Sequence, residues 1–274
     1  MTIKIANYTV GTNQSLLLIA GPCVIESEAL CHEVASHMKA LCDERGINYV
    51  FKASFDKANR TSIHSYRGPG IDSGLKTLQI IKNEYSIPVL TDVHESAQCE
   101  QIAAVCDVLQ IPAFLCRQTD LLIAAAEAAT KYNGGVNVKK GQFLAPEDTR
   151  NIVVKMNEAG CENVMLTERG STYGYNNLVV DFRGLEIMRQ FAPVCFDATH
   201  SVQKPGGAGT SSGGDRRFVP TLTRAACAVG IDALFVETHP NPDDAKSDGP
   251  NMVPLAQMAE LLDSALRVRE AAPS

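Results

Sequence analysis

The chain has 274 residues, 45% of them hydrophobic and 20% charged, so it can bury a substantial core. That length exceeds a typical single domain, but closed α/β barrels commonly form one unit of this size. The formal net charge of −6 argues against nucleic acid or an anionic membrane as partner, since both need basic surface; an anionic small substrate stays open, because a local basic cluster can oppose the global sign.

In chain order, short apolar runs alternate with longer amphipathic ones. Residues 16–20 read as strand one, and 28–44 as a helix ended by Gly46. Strand two covers 49–53 and is followed by a helix over 74–85. Strand three is 89–92, with a helix over 97–105; strand four is 108–111, with an Ala-rich helix over 120–130. Strand five is 136–138. Pro146, with Glu147 and Asp148 in the first turn, opens a helix that runs to about residue 159. Strand six is 164–166 with a helix over 185–191, and strand seven is 194–196 with a helix over 218–229. Strand eight is 233–236, and the last helix is 254–269.

Eight strands alternating with eight helices, with no linker or repeat signature, imply a parallel sheet closed into a (β/α)8 TIM barrel. The expected organisation is a single catalytic domain over residues 1–274. An open doubly wound sheet is the alternative, but its GxGxxG turn is absent. Residues 3–10 alternate around Asn7 and suggest a short N-terminal β-hairpin closing the bottom of the barrel. The apolar run at 16–20 is too short to span a membrane, has no basic segment before it and no small-residue cleavage site after it. The nine cysteines are scattered, mostly in or beside apolar runs, as expected of free thiols in a reducing cytosol. A cytoplasmic location is therefore expected.

Barrel chemistry sits at the C-terminal strand ends. There the chain places Cys23; Lys52, Lys57, Asn59 and Arg60; Asp92, His94 and Glu95; Arg117 and Gln118; Lys139 and Lys140; Glu168 and Arg169; Asp197 and His200; and Glu237 and His239, with Asp248 in the loop beyond. One lysine at a strand end is usually a solvated loop residue and one histidine usually hydrogen-bonded scaffold. Charged or ligating groups after every strand instead suggest a mouth that is polar by design. Lys52, Lys57, Lys139 and Arg169 suit an anion with more than one charged group, such as a phosphate plus a carboxylate. Cys23, His200, Glu237 and Asp248 come from strands one, seven and eight, which become neighbours on closure. A thiolate, an imidazole and two carboxylates suit Zn2+, Fe2+ or Mn2+, although long-range spacing alone is a weak metal signal.

Several long motifs carry a resemblance. They are Phe51-Lys52-Ala53-Ser54-Phe55-Asp56-Lys57-Ala58-Asn59-Arg60, continuing through Ser62 to Arg67-Gly68; Gln110-Ile111-Pro112-Ala113-Phe114-Leu115-Cys116-Arg117-Gln118-Thr119-Asp120; Asn137-Val138-Lys139-Lys140-Gly141-Gln142-Phe143; and Arg169-Gly170 with Gly174-Tyr175-Asn176-Asn177. Over nearly the whole chain the sequence resembles the 3-deoxy-D-manno-octulosonate 8-phosphate synthases. These join phosphoenolpyruvate to D-arabinose 5-phosphate for lipopolysaccharide, releasing phosphate, on a (β/α)8 barrel that is usually a homotetramer.

The resemblance implies roles. Lys139 and Arg169 would hold the phosphate of phosphoenolpyruvate, with Lys57 and Lys52 on its carboxylate side. Asn59, Arg60 and Ser62 would bind the pentose phosphate, joined by Arg117 from a neighbouring subunit, and Asp92 and Gln110 would line the floor. Lys57, Cys23, His200 and Asp248 are expected at the reacting centre. Cys23, where a metal-free branch of the family carries Asn, implies the metal-dependent branch with Cys23, His200, Glu237 and Asp248 as ligands; Ser247 before Asp248 points the same way. The glycine-rich segment 206–214 suits a mobile lid. Two rivals are a synthase using erythrose 4-phosphate, whose phosphate loop usually reads Lys-Pro-Arg-Thr against Lys57-Ala58-Asn59-Arg60 here, and a sugar-phosphate sensor without turnover, against which the intact cations and ligands argue.

Overall fold

The computed structural model describes residues 1–206 and 213–272. Its barrel strands are β1 (Leu17–Gly21), β2 (Asn48–Lys52), β3 (Val89–Asp92), β4 (Val108–Ile111), β5 (Gly135–Lys139), β6 (Val164–Glu168), β7 (Val194–Asp197) and β8 (Ala233–His239). All are parallel and pair in sequence order. The sheet closes where Leu17 of β1 pairs with Ala233 of β8, whose other edge pairs with Cys195 of β7.

A helix follows each strand: α1 (Glu28–Arg45), α2 (Ile71–Tyr85), α3 (Cys99–Ala103), α4 (Thr119–Lys131), α5 (Thr149–Glu158), α6 (Arg183–Arg189), α7 (Val219–Val229) and α8 (Met258–Ala271). Helix α1 shows why these segments are helical. The Ser27 side chain accepts the Leu30 N–H at its start, Gly46 takes the left-handed conformation at its end, and Cys31, Val34, Ala35, Met38 and Cys42 make one buried stripe. The expected helix over 97–105 is a 3-10 turn at Ser96–Gln98 followed by the five residues of α3.

Two apolar layers hold the barrel. The outer one lies between strands and helices; the inner one fills the barrel's lower half with Leu17, Ile19, Val50, Leu90, Val108, Met165, Cys195, Ala233 and Phe235. The N-terminal hairpin, Thr2–Ile5 paired antiparallel with Tyr8–Gly11, adds Ile3, Ile5 and Val10 to that inner layer and plugs the bottom. Above it the interior turns polar: Lys52, Asp92, Gln110, Asn137, Lys139, Thr167, Asp197 and Glu237 are all buried. All nine cysteines are free and buried. No helix among the described residues is long and apolar enough to cross a membrane. Of the lid segment at 206–214, residues 207–212 lie outside the described residues. Its flanks Gln203–Lys204 and Gly213–Gly214 pair as a two-stranded ribbon.

Candidate active site

A cavity of about 760 Å3 opens among the C-terminal strand ends. Lys52, Lys57, Asn59, Arg60, Asp92, Gln110, Lys139, Arg169, His200, Glu237 and Asp248 line it, so strand closure brings most of the expected site together. Cys23 lies just behind the wall, its Sγ 3.0 Å from Ser247 Oγ and 3.1 Å from Asp248 Oδ2. Arg117 is exposed and does not line this chain's cavity, and Ser62 is also outside it, its Oγ accepting the His64 N–H. The expectation that every strand delivers its charged or ligating groups to one rim needs correction: Lys140, Glu168, Asp197, His239 and the neutral Gln118 do not line the cavity. Strand alternation turns Lys140 and Glu168 outward, and His239 faces Glu26 at 3.7 Å.

The cations are held by named anions. Lys52 Nζ donates to Glu237 Oε1 at 2.5 Å and to the Cys23 carbonyl at 2.8 Å. Lys57 Nζ stands 3.9 Å from both Asp92 Oδ2 and Glu237 Oε1. Burial opposes its charge, but the Cys23 sulfur and the Glu237 and Asp92 carboxylates raise its ammonium well above the ordinary lysine range. Lys139 Nζ donates to Asp197 Oδ2 at 2.7 Å and lies 3.8 Å from the centre of the Phe235 ring. Arg169 donates from Nη2 to Gln203 Oε1 at 2.9 Å, while its buried Nη1 has no partner among the described residues. Burial draws this guanidinium below its ordinary value despite Asp197 and Asp248, as expected of a cation short of counter-charge. Arg60 donates to the Tyr66 carbonyl and to Ser247 Oγ, and its buried Nη2 likewise has no partner among the described residues.

Carboxylates are set by the same logic. Burial would raise Asp92, but Lys57 and Lys52 hold it well below the usual carboxylate range. Burial would also raise Asp248, but His200 and Lys57 outweigh it. Asp197 is a functional group whose role the sequence left unassigned: its Oδ2 lies 2.8 Å from His200 Nδ1, leaving His200 Nε2 3.7 Å from Glu237 Oε2. Gln203, another unassigned residue, donates to Asp248 Oδ1 while accepting from Arg169, and so ties Arg169 to the acidic cluster. Asp197 had a visible signal in its place at a strand end beside His200; a neutral glutamine in a two-residue ribbon had none.

Donor atoms of Cys23, Glu237 and Asp248 all lie within 4.8 Å of one another, a group with metal-holding geometry. Glu237 Oε2 is buried with no hydrogen-bond partner among the described residues, and His200 Nε2 faces it, although His200 falls outside the three-residue group. One sulfur, two carboxylates and an adjacent imidazole backed by Asp197 fit a borderline-soft divalent ion. With burial first and Glu237 next pushing the Cys23 thiol up against the pull of Lys57, sulfur ligation would need that proton displaced.

A closed (β/α)8 barrel whose cavity at the C-terminal strand ends is lined by cations, beside a thiol–carboxylate group that could hold a metal, is the architecture of a barrel enzyme. The DAHP synthetase I family model matches residues 1–271. The chain belongs to that family. It is 59% identical over 267 residues to the 2-dehydro-3-deoxyphosphooctonate aldolase of Fusobacterium nucleatum, covering 97% of this chain and 95% of that one. It is 59% identical over 266 residues to the enzyme of the same name from Cyanothece sp., covering 97% and 96%, and 56% identical over 267 residues to that of Desulfotalea psychrophila, covering 97% and 94%. These likenesses bear out the resemblance read from the motifs.

Proposed function

We propose that this chain condenses phosphoenolpyruvate with D-arabinose 5-phosphate and water, giving 3-deoxy-D-manno-octulosonate 8-phosphate and phosphate, in the cytoplasm, as one catalytic domain working within a homotetramer. The observation that carries the reading is a pair of cavity-lining arginines, the buried Arg169 and the half-buried Arg60, each with one buried guanidinium nitrogen that has no partner among the described residues. Two separate anion subsites suit two phosphorylated substrates. The relatives' shared name supports the choice of reaction.

Carbon 3 of phosphoenolpyruvate attacks the pentose aldehyde, water adds at C2, and phosphate leaves with C–O cleavage. Lys139 and Arg169 hold the phosphate that departs, and their charge stabilises it as it leaves. Lys57 and Lys52 face the carboxylate side. Asn59 and Arg60 hold the far phosphate, with Ser62 nearby and Arg117 arriving from a neighbouring subunit. Two anions repel each other, and this shell offsets that repulsion while fixing the reacting carbons close together, an arrangement that can lower a barrier by roughly 7–11 kcal/mol. Asp92, ionised and anchored by Gln110, orients the floor of the site. Cys23, His200, Glu237 and Asp248 would hold one Zn2+, Fe2+ or Mn2+, which when bound supplies Lewis acidity and orients substrate oxygens. Asp197 keeps His200 in the orientation that this set requires.

The test is phosphate release from phosphoenolpyruvate mixed with arabinose 5-phosphate or erythrose 4-phosphate, before and after metal is stripped by chelation. Release with the pentose, lost on stripping and restored by one of the three ions, is expected. Equal release with the four-carbon sugar, or none with either, would overturn the reading of the substrate. Full activity in verified metal-free protein would overturn the metal's part.

A further inference from the structure

Behind the cavity wall lies a charged pair that the reaction does not use. Lys139 of β5 pairs in register with Thr167 of β6, so the next residues, Lys140 and Glu168, turn away from the barrel interior while Lys139 and Arg169 line the mouth. Lys140 is 0% exposed and Glu168 2% exposed, and Lys140 Nζ stands 3.5 Å from Glu168 Oε2. The ammonium also donates to the carbonyls of Gly141 and Leu144, at 3.4 and 3.3 Å, and to Ser171 Oγ at 3.1 Å. The other Glu168 oxygen accepts the Gly170 N–H at 2.6 Å. Gly170 is at φ +94°, a left-handed conformation that this bond helps to fix directly after Arg169.

An apolar pair of similar volume would hold two strands together as well as a buried ion pair does. What it would not do is clamp both loops at once: Lys140 grips the loop after β5 through two carbonyls and the loop after β6 through Ser171, and Glu168 grips the turn at Gly170. Each clamped segment adjoins one of the two cations facing the anion. We infer that Lys140 and Glu168 are positioning residues that fix the separation of Lys139 and Arg169 to suit a phosphate group; which substrate bears that phosphate rests on the reading above.

The experiment compares wild type with Lys140→Met, Glu168→Gln and the double variant. It measures both Michaelis constants, kcat, the inhibition constant of inorganic phosphate against phosphoenolpyruvate, and the thermal midpoint. A displacement of about 1 Å in such a site can cost up to roughly a hundredfold, so a rise of roughly tenfold or more is expected in the phosphoenolpyruvate and inorganic phosphate constants of Lys140→Met. The arabinose 5-phosphate constant should stay near wild type. Glu168→Gln keeps an acceptor for Gly170 and should shift less, and the double variant should be no worse than the worse single one. Should Lys140→Met not fold, Lys140→Gln and Glu168→Gln decide the matter. Unchanged phosphate constants in folded variants, or both substrate constants rising together, would overturn the inference. If wild type does not turn over these substrates, the reaction reading fails; calorimetric binding of inorganic phosphate to wild type and variants then still decides this inference, by weaker binding or by none lost.

Discussion

Asp92 stands at the end of a one-way chain of hydrogen bonds. Thr167 donates to Asn137, Asn137 to Gln110 and Gln110 to Asp92, crossing from β6 to β3, while Ser54 donates to the other Asp92 oxygen at 2.5 Å. Every link points its donor toward the carboxylate, so the chain favours the ionised form. Because the folded-state pKa of Asp92 is depressed, its contribution to stability is complete above the unfolded value of roughly 3.9 and is lost as pH falls below it. Denaturant midpoints taken from about pH 6 down to about pH 3 should fall, and less steeply in Asp92→Asn; identical slopes would contradict the assignment. Single charged residues such as Lys57, Arg169 and Glu237 were legible in the sequence because strand ends in a barrel converge. Asn137, Thr167 and Gln203 were not, since a neutral side chain in a buried ladder looks like any other polar residue until its partners are known.

Elements were legible where periodicity dictates them. Strands β3 and β4 fall where alternation of apolar runs placed them, and α1 begins and ends at its Ser27 and Gly46 caps. The two-residue ribbons, such as Ser171–Thr172 with Leu178–Val179, left no trace because pairing rather than propensity makes them. The end of β1 depends on a close approach. A Cβ on Gly21 would lie 1.9 Å from the Lys52 carbonyl oxygen, so β1 and β2 meet only with glycine there. Gly21→Ala should therefore destabilise the chain by about 2 kcal/mol or more, the range of overpacked cores, and should lower kcat by moving Cys23 and Lys52. Urea denaturation and steady-state kinetics on one sample check both; a wild-type midpoint with wild-type kcat would contradict the close-approach account.

At the scale of the whole molecule, barrel closure explains how residues from 23 to 248 in the sequence form one site, yet Arg117 stays outside this chain's own cavity. The proposed tetramer accounts for it as a donor to the neighbour's pentose phosphate. Losing one charge-assisted contact of roughly 1.5–3 kcal/mol should raise the arabinose 5-phosphate constant of Arg117→Ala roughly tenfold to a hundredfold, with the phosphoenolpyruvate constant near wild type. An unchanged pentose constant would remove the inter-subunit role.

If the barrel mouth drives carbon–carbon bond formation with expulsion of phosphate from C2, the fate of the bridging oxygen of phosphoenolpyruvate reports it. Phosphoenolpyruvate labelled with oxygen-18 at the bridging position tests it most directly, with the mass of the phosphate released in the presence of arabinose 5-phosphate as the readout. The phosphate should carry the label, because the C–O bond breaks. Unlabelled phosphate, which requires P–O cleavage, or label release that does not depend on the pentose, would contradict it.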